Sequence, residues 1–594
     1  MTTADPRVVY DRRLQELAVL IARGDRRHLV LSNLRLAVFA AAALLAWLAF
    51  APGLISPAWL LLPLLAFVAL LVTHARILNA NDRVTRAQRH YERGVTRLEG
   101  TWAGTGPDGL RFIGDHTYAT DLDLFGPGSL FQLIDTARTE AGEDTLADWL
   151  RSRASREDVL ERQQAVAELR DRPDFREALA VLASEAHVSR TGVLTKWASI
   201  QPVGLGSVHA VVFAACAAVS AVLVAALFAD WVPGLLVTVW LAIAGGVALA
   251  HRGRVWQVLR RVDAAADDLS LLEALLARLE QERFSSPRLS TLRVALDGHT
   301  RPSALLRRLR HFIAARDALR NELVRPFGML LFVRSQAAVA IDRWHQANRA
   351  SLAAWIAAIG EFEALASLAT YAYEHPRDPF PTLEPNGPLF EGAGVGHPLL
   401  HEATAVRNDV SLGGASPRVL IVSGSNMSGK STLLRAVGAN AVLALAGGPV
   451  RAERLTLSVL AIGATITVGD SLQQGHSRFY SEILKIRDIV SLTKGPVPVL
   501  FMLDEILHGT NSHDRKIGAQ AIVRALVDAG AIGLVTTHDL ALTELASRGD
   551  ARARNVHFED HIEDGRMRFD YRMRDGVVER SNALELMRAV GLDV

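Results

Sequence analysis

Residues 424–432 read GSNMSGKST, directly after the apolar run VLIVS (419–423) and directly before LLRAVGANAVLALA (433–446). The nine residues fit G-x-x-x-x-G-K-[ST], and the flanks supply the strand and the helix between which that pattern forms a phosphate-gripping loop. Glycines let successive backbone N–H groups curl around an anion at a helix N-terminus, where the helix dipole favours negative charge. The spacing therefore predicts an α/β P-loop fold for the C-terminal part of the chain. It assigns Gly424, Ser425, Asn426, Met427, Ser428, Gly429, Lys430, Ser431 and Thr432 to nucleotide binding. Lys430 would meet the β- and γ-phosphates, and Ser431 would bind Mg²⁺.

Two more apolar runs end in polar residues of the right kind. VLFMLDE (499–505) is a continuous apolar stretch closed by two carboxylates, as a buried parallel strand presents acids at its C-terminal edge. Asp504 suits the metal, directly or through water, and Glu505 suits the orientation or deprotonation of an attacking water. AIGLVTTHD (531–539) delivers His538 in the same way, as a γ-phosphate sensor. ATP and Mg²⁺ are the substrate and cofactor expected, with Glu505 and His538 as the catalytic pair.

The remainder of the 594 residues has another character. Half the residues are hydrophobic, and the net charge of +2 gives no strong pull toward nucleic acid. A single cysteine, Cys216, rules out an intrachain disulfide and argues against a Cys-based zinc site. Leu36–Thr73 runs for 38 residues without Lys, Arg, Asp or Glu, broken by Pro52-Gly53. Val208–Ala229 runs for 22, followed by Asp230, the turn at Pro233-Gly234, and an apolar segment to Ala250. A bilayer core needs about 20 apolar helical residues. Each region therefore reads as a helical hairpin, giving four transmembrane helices. Arginines flank both pairs on the outside (Arg26, Arg27, Arg35, Arg76 and Arg83; Arg252, Arg254, Arg260 and Arg261), and the hairpin turns carry none. The positive-inside tendency then places both termini and residues 75–206 in the cytoplasm, as in a multi-pass protein of the inner (cytoplasmic) cell membrane. Residues 1–35 carry mixed charges rather than a secretory signal, with Val9, Leu14, Leu17, Leu20 and Ile21 at amphipathic helical spacing. Asp230, in a turn, is the only Lys, Arg, Asp or Glu in the hairpins, which favours an anchor over a transport path.

GSNMSGKSTLLR, LDEILHGTNSHD and TTHDLALTEL resemble the ATPase domain of MutS-type proteins, a branch of the ABC ATPase superfamily. GHPLL (396–400), RNDVSL (407–412), GGPVRAE (447–453), GHSRFYSEI (475–483) and the tail 555–592 agree in order. The resemblance implies that Ser477 is the signature serine, reaching the nucleotide of the opposite subunit, and hence that a homodimer holds two composite sites. GSLFQLIDTARTEAGEDTLADWL (128–150), EDVLERQQAVAELR (157–170) and WIAAIGEFEALASLA (355–369) look like the family's helical core and lever. The implied architecture is a C-terminal ABC-type ATPase domain joined to an all-α core with two membrane hairpins. Its expected parts are an amphipathic segment (1–35), a first hairpin (36–73), a connector (74–124), a first core part (125–207), a second hairpin (208–250), a core and lever (251–390) and the ATPase domain (391–594).

The departures shape the functional expectation. Nothing before Leu124 looks like the family's mismatch-recognition domain, and Phe175-Arg176-Glu177 matches its wedge by letters while lying in the helical core. Ala405 and Val406 stand where adenine-stacking aromatics are expected before Asn408. VLRR (258–261) and LLRRLRHFI (305–313) are basic patches suited to phosphates or to anionic lipid. The reading is a membrane-anchored MutS-like ATPase whose nucleotide cycle switches a dimer, with DNA open as a partner and mismatch recognition not expected. The alternatives are a membrane switch acting on a protein partner without DNA, and an ABC-type transporter motor.

Overall fold

The computed structural model describes residues 5–51, 54–183, 191–297, 300–320, 322, 325–425, 427–467, 478–508, 510–538, 540–547, 551–563 and 566–578. The chain opens with two long helices, Pro6–Phe50 and Leu61–Leu98, packed along each other. Asp5 caps the first by accepting the Arg7 N–H at 2.9 Å. No proline falls between Arg7 and Phe50, so the charged start and the apolar stretch form one continuous helix rather than separate segments. Likewise Leu61–Leu98 runs far past residue 73. The second hairpin pairs Ser207–Phe228 with Gly234–Asp263, with Trp240 donating to Ser220 Oγ at 2.9 Å across the pair. Asp230 adopts a left-handed conformation in its turn.

Among the described residues, five helices are long and apolar enough to cross a membrane by length and composition. Four are the hairpin arms, whose apolar windows are largely unburied by protein. The fifth, Val333–Glu374, has most of its apolar window buried and is a core helix. At about 1.5 Å per residue it is roughly 60 Å long, and it packs against Glu140–Arg151 and Arg156–Arg170. Gly360 permits the contact, because a Cβ there would lie 2.6 Å from the Ala141 carbonyl oxygen. Asp342 on the same helix accepts the backbone N–H groups of Val203, Gly204 and Leu205 at 2.7–2.9 Å. A buried carboxylate thus fixes the chain where it enters the second hairpin. Phe175 and Arg176 are buried in the helix Pro173–Ala183, with Arg176 donating to the Ala369 carbonyl at 3.2 Å. The Phe-Arg-Glu triplet is core packing.

The C-terminal α/β unit begins at β1 (Thr382–Glu384), earlier than residue 391, because β1 pairs parallel with β5 (Arg454–Ser458) in the smaller sheet. With β2 (Leu389–Val395) and β3 (Asn408–Gly413) that sheet has the order β1-β5-β2-β3. The larger sheet contains β4 (Val419–Ser423), β6 (Ala461–Thr465), β7 (Val499–Leu503), β8 (Ile532–Thr537), β9 (Ala553–Glu563) and β10 (Arg566–Asp575). Its order is β10-β9-β4-β8-β7-β6, parallel except for the β9–β10 pair. Every residue of β4, β7 and β8 is buried, as their largely apolar sequences require of strands covered on both faces.

The expected connector is partly a brace on this unit. Asp121, fully buried, accepts the N–H groups of Ile466 and Thr467 at 2.8 and 2.7 Å and pairs with Lys485 at 3.0 Å. Thr117 accepts the Ala464 N–H at 3.0 Å, covering the β6 edge of the larger sheet.

Candidate nucleotide site

Registers Ser423↔Thr537 and Leu503↔Val535 bring the carboxyl ends of β4, β7 and β8 to one edge. The residues that follow these strands carry the polar groups, which is where open parallel sheets place ligand chemistry. The turn after β4 passes through Gly424 (φ 147°), Met427 (φ 69°) and Gly429 (φ 107°) before the helix Lys430–Ala446 begins. Gly429 must be glycine on two counts: its φ is left-handed, and a Cβ would lie 3.1 Å from Tyr571 Cδ1.

Lys430 is buried, and its ammonium donates to the carbonyls of Gly424 at 2.9 Å and Ser425 at 2.8 Å, lying 3.3 Å from His538 Nε2. Burial pushes it below its ordinary pKa, against the opposing pull of Glu505 (3.7 Å) and Asp504. The Ser431 hydroxyl donates to Asp504 Oδ2 at 2.6 Å. Thr536 donates to the other oxygen of Asp504 and accepts the Glu505 N–H at 3.0 Å. One hydroxyl at the end of β8 therefore orients both acids at the end of β7. The Glu505 carboxylate lies within hydrogen-bonding reach of the Nε2 atoms of His538 and His508, the latter at 3.1 Å. The hydrogen bond from His538 is the main influence holding the Glu505 carboxyl below its usual range, so it stays ionised at neutral pH.

Glu505 (φ 46°) and Leu507 (φ 61°) both occupy the left-handed region, which is costly for non-glycine residues and concentrates at functional sites. The turn is held by Glu482, which accepts the Leu507 N–H, and by Arg515, which donates to the carbonyls of Leu507, His508 and Thr510.

Of the residues named from sequence, Gly424, Ser425, Gly429, Lys430, Ser431, Asp504, Glu505 and His538 come together. Ser428 is buried, and the hydroxyls of Ser425 and Ser428 have no hydrogen-bond partner among the described residues. Met427 and Thr432 are exposed. Asn426 and Ser477 lie outside the described residues.

Sequence reasoning missed Thr536, His508, Glu482 and Tyr571. A Thr-Thr pair ahead of His538 was the only signal for the first. Tyr571 comes from a bulge in β10 between Phe569 and Met573. Asn408 fixes the bulge, donating to the Tyr571 carbonyl at 3.0 Å and accepting the Met573 N–H at 2.7 Å. An aromatic ring thus reaches the loop from β10, where no local pattern announces it.

The oxygen pair Ser431–Asp504 suits Mg²⁺, which keeps several waters and takes few protein ligands. Among the described residues no group of three or more His, Cys, Asp or Glu side chains is assembled for a metal. Of the basic patches, Arg307 and Arg310 both pair with Glu273, and Arg261 donates to the Gln201 carbonyl. Much of their charge is already engaged.

A family model described as MutS domain V matches residues 420–593. The DNA mismatch repair protein MutS of Natronomonas pharaonis is 32% identical over 266 residues, covering 44% of this chain and 29% of that protein. DNA mismatch repair protein MSH3 of Phaeosphaeria nodorum is 32% identical over 245 residues, 40% of this chain and 22% of its own. Endonuclease MutS2 of Thermomicrobium roseum is 34% identical over 221 residues, 35% and 27% respectively. The chain thus spans less than a third of the length of these relatives.

Proposed function

Because the chain belongs to the MutS family through its C-terminal domain, we propose that it is a membrane-anchored, Mg²⁺-dependent ATPase whose nucleotide cycle switches a homodimer. The observation that carries this reading is the convergence of Lys430, Ser431, Asp504, Glu505 and His538 from three strand ends within hydrogen-bonding reach. Lys430 would exchange its contacts with the Gly424 and Ser425 carbonyls for the phosphates. The unpartnered Ser425 and Ser428 hydroxyls are donors already buried in the loop. Ser431 and Asp504 would hold Mg²⁺, which when bound neutralises charge developing on the phosphates. Glu505, ionised and aimed by Thr536 through its own backbone, would orient the water and take its proton, and His538 would follow the γ-phosphate. Tyr571 offers a ring face beside the loop for the base. Ser477 of a second subunit would complete the site.

Glu505→Gln is the direct test. It keeps the side-chain shape and leaves Lys430 in place, so ATP binding should persist. Hydrolysis should fall by about 10²–10⁴-fold, the usual worth of a general base. Wild-type turnover in this variant, measured as phosphate release, would remove Glu505 from the role.

The anchor reading rests on the four lipid-length arms and on the arginines at one end of both hairpins. Both hairpins would enter the inner membrane from the cytoplasm, with the termini and the α/β unit inside. Protease applied outside intact cells is expected to reach only the turns near Pro52 and Asp230; cleavage within 75–206 would overturn the topology. A transporter motor is disfavoured by arms without acids or bases near their centres. DNA remains a family-level partner. The patch at 258–261 lies in the last turns of the second hairpin's helix Gly234–Asp263, and the helix carrying 305–313 reaches the end of that helix through the Arg316–Asp263 pair, which suits anionic lipid at least as well.

A further inference from the structure

Between the helix Pro302–Asp317 and the long core helix lies an elbow, 325–334, of sequence RPFGMLLFVR. It contains the short helix Arg325–Leu330, and it leaves Phe327 (67% exposed), Met329 (63%) and Leu331 (38%) facing outward. Arg325 and Arg334 at its two ends are exposed as well. Large apolar side chains grouped in this way mark an interaction surface.

Its position identifies the partner. Phe332, at the N-terminal cap of Val333–Glu374, is buried in a left-handed conformation and stacks on Phe213 of the second hairpin, with ring centroids 6.0 Å apart at 21°. The short helix also packs against Ser207–Phe228. That arm has 22 residues. At about 1.5 Å per residue it is roughly 32 Å long, close to the thickness of a hydrocarbon core. With Ser207 at the cytoplasmic boundary, Phe213 stands about 9 Å inside it. The Phe332 ring, 6.0 Å from that of Phe213, therefore lies within 6.0 Å of that depth. His209 and His251 meet across the hairpin at 5.2 Å with Arg254 beside them, and His251 also packs edge-on against Phe213 at 5.5 Å, so polar side chains gather at this cytoplasmic end of the arms.

We propose that the elbow 325–334 is a third membrane contact, a shallow wedge that inserts Phe327, Met329 and Leu331 among the acyl chains of the cytoplasmic leaflet while Arg325 and Arg334 meet anionic headgroups. The proposal rests on the membrane-anchor reading of the hairpins and extends it to the core. The long helix starts at this wedge, and its far end, Glu374, grips Arg97 of the first hairpin. One rigid rod therefore joins a leaflet contact to the base of the other hairpin and to the chain entering the α/β unit.

The test uses the full chain, with Cys216 replaced by Ala, in vesicles containing phosphatidylglycerol. Single cysteines at Phe327, Met329 and, as a control, Val222 in the second hairpin carry an environment-sensitive fluorophore. The lipids carry a nitroxide either near the headgroup or deep in the acyl chain. Probes at 327 and 329 should be quenched several-fold more strongly by the shallow nitroxide than by the deep one, and the Val222 probe should be quenched by lipid in either case. A quenched Val222 probe with unquenched 327 and 329 probes overturns the wedge and leaves the anchor standing, the elbow then being covered by protein or water. If Val222 also escapes quenching, the anchor reading itself fails and takes the wedge with it.

Discussion

Lys430→Ala is expected to abolish productive ATP binding and with it all hydrolysis, a loss of roughly 10²-fold or more for removal of one preorganised charged donor. The ammonium is buried, and it is the only cation in the loop itself. Its removal leaves Glu505 and Asp504 facing the phosphates with only the Mg²⁺ charge to compensate them. The expected pattern is distinct from that of Glu505→Gln: the alanine variant fails to retain nucleotide, and the glutamine variant retains it without turnover. Nucleotide retention and phosphate release, measured in detergent, separate the two. If the sites are composite, mixing Lys430→Ala with a Ser477→Arg chain restores partial activity, because one intact loop then faces one intact serine. A mixture as inactive as both parents, with heterodimers verified, counts against composite sites. Retained wild-type binding in Lys430→Ala would sink the assignment of the loop.

The second large effect is structural. Arg97, near the end of the first hairpin, forms two hydrogen bonds to the Glu374 carboxylate at 2.7 and 2.6 Å, and Tyr10 from the opposite arm donates to the same carboxylate at 3.1 Å. Both charged side chains are nearly sequestered from solvent. Burial opposes the Arg97 charge, and Glu374 more than offsets it, holding the guanidinium above its ordinary pKa. Glu374→Ala leaves a buried cation and a buried phenol unpaired, a loss of about 3–5 kcal/mol. Replacing both charges, Arg97→Met with Glu374→Met, should cost much less, since no uncompensated charge remains. Thermal unfolding in detergent is the measurement. An alanine variant as stable as the double variant would show that the pair does not hold the hairpin to the core.

How much of this was legible in advance depends on the range of the interaction. GSNMSGKST, the two carboxylates after VLFML and the histidine after TTHD are local patterns. Each is a strand followed by a polar group, and burial on both faces of a parallel sheet forces the strands to be apolar and the chemistry to their ends. For the same reason the lipid-length stretches announce themselves: a helix of that length without charges needs an apolar surround, wherever it comes from. Sequence alone therefore determined the loop, the acid pair, the histidine and the four apolar arms. Their helical limits escaped it, because nothing between Arg35 and Leu36 stops a helix and the helices run on through the charge boundary.

What only the tertiary structure decided are the contacts between distant segments. Thr536 orients Asp504 and Glu505 from another strand, Tyr571 reaches the loop through a bulge fixed by Asn408, and Asp121 braces a sheet edge from the N-terminal half. The long helix Val333–Glu374 passes for a membrane span by composition and is a core helix by packing. An apolar helix face has no composition of its own to say whether lipid or protein will cover it. A side chain whose partner lies hundreds of residues away leaves no periodicity to read. Both were settled by which surfaces the fold brought together.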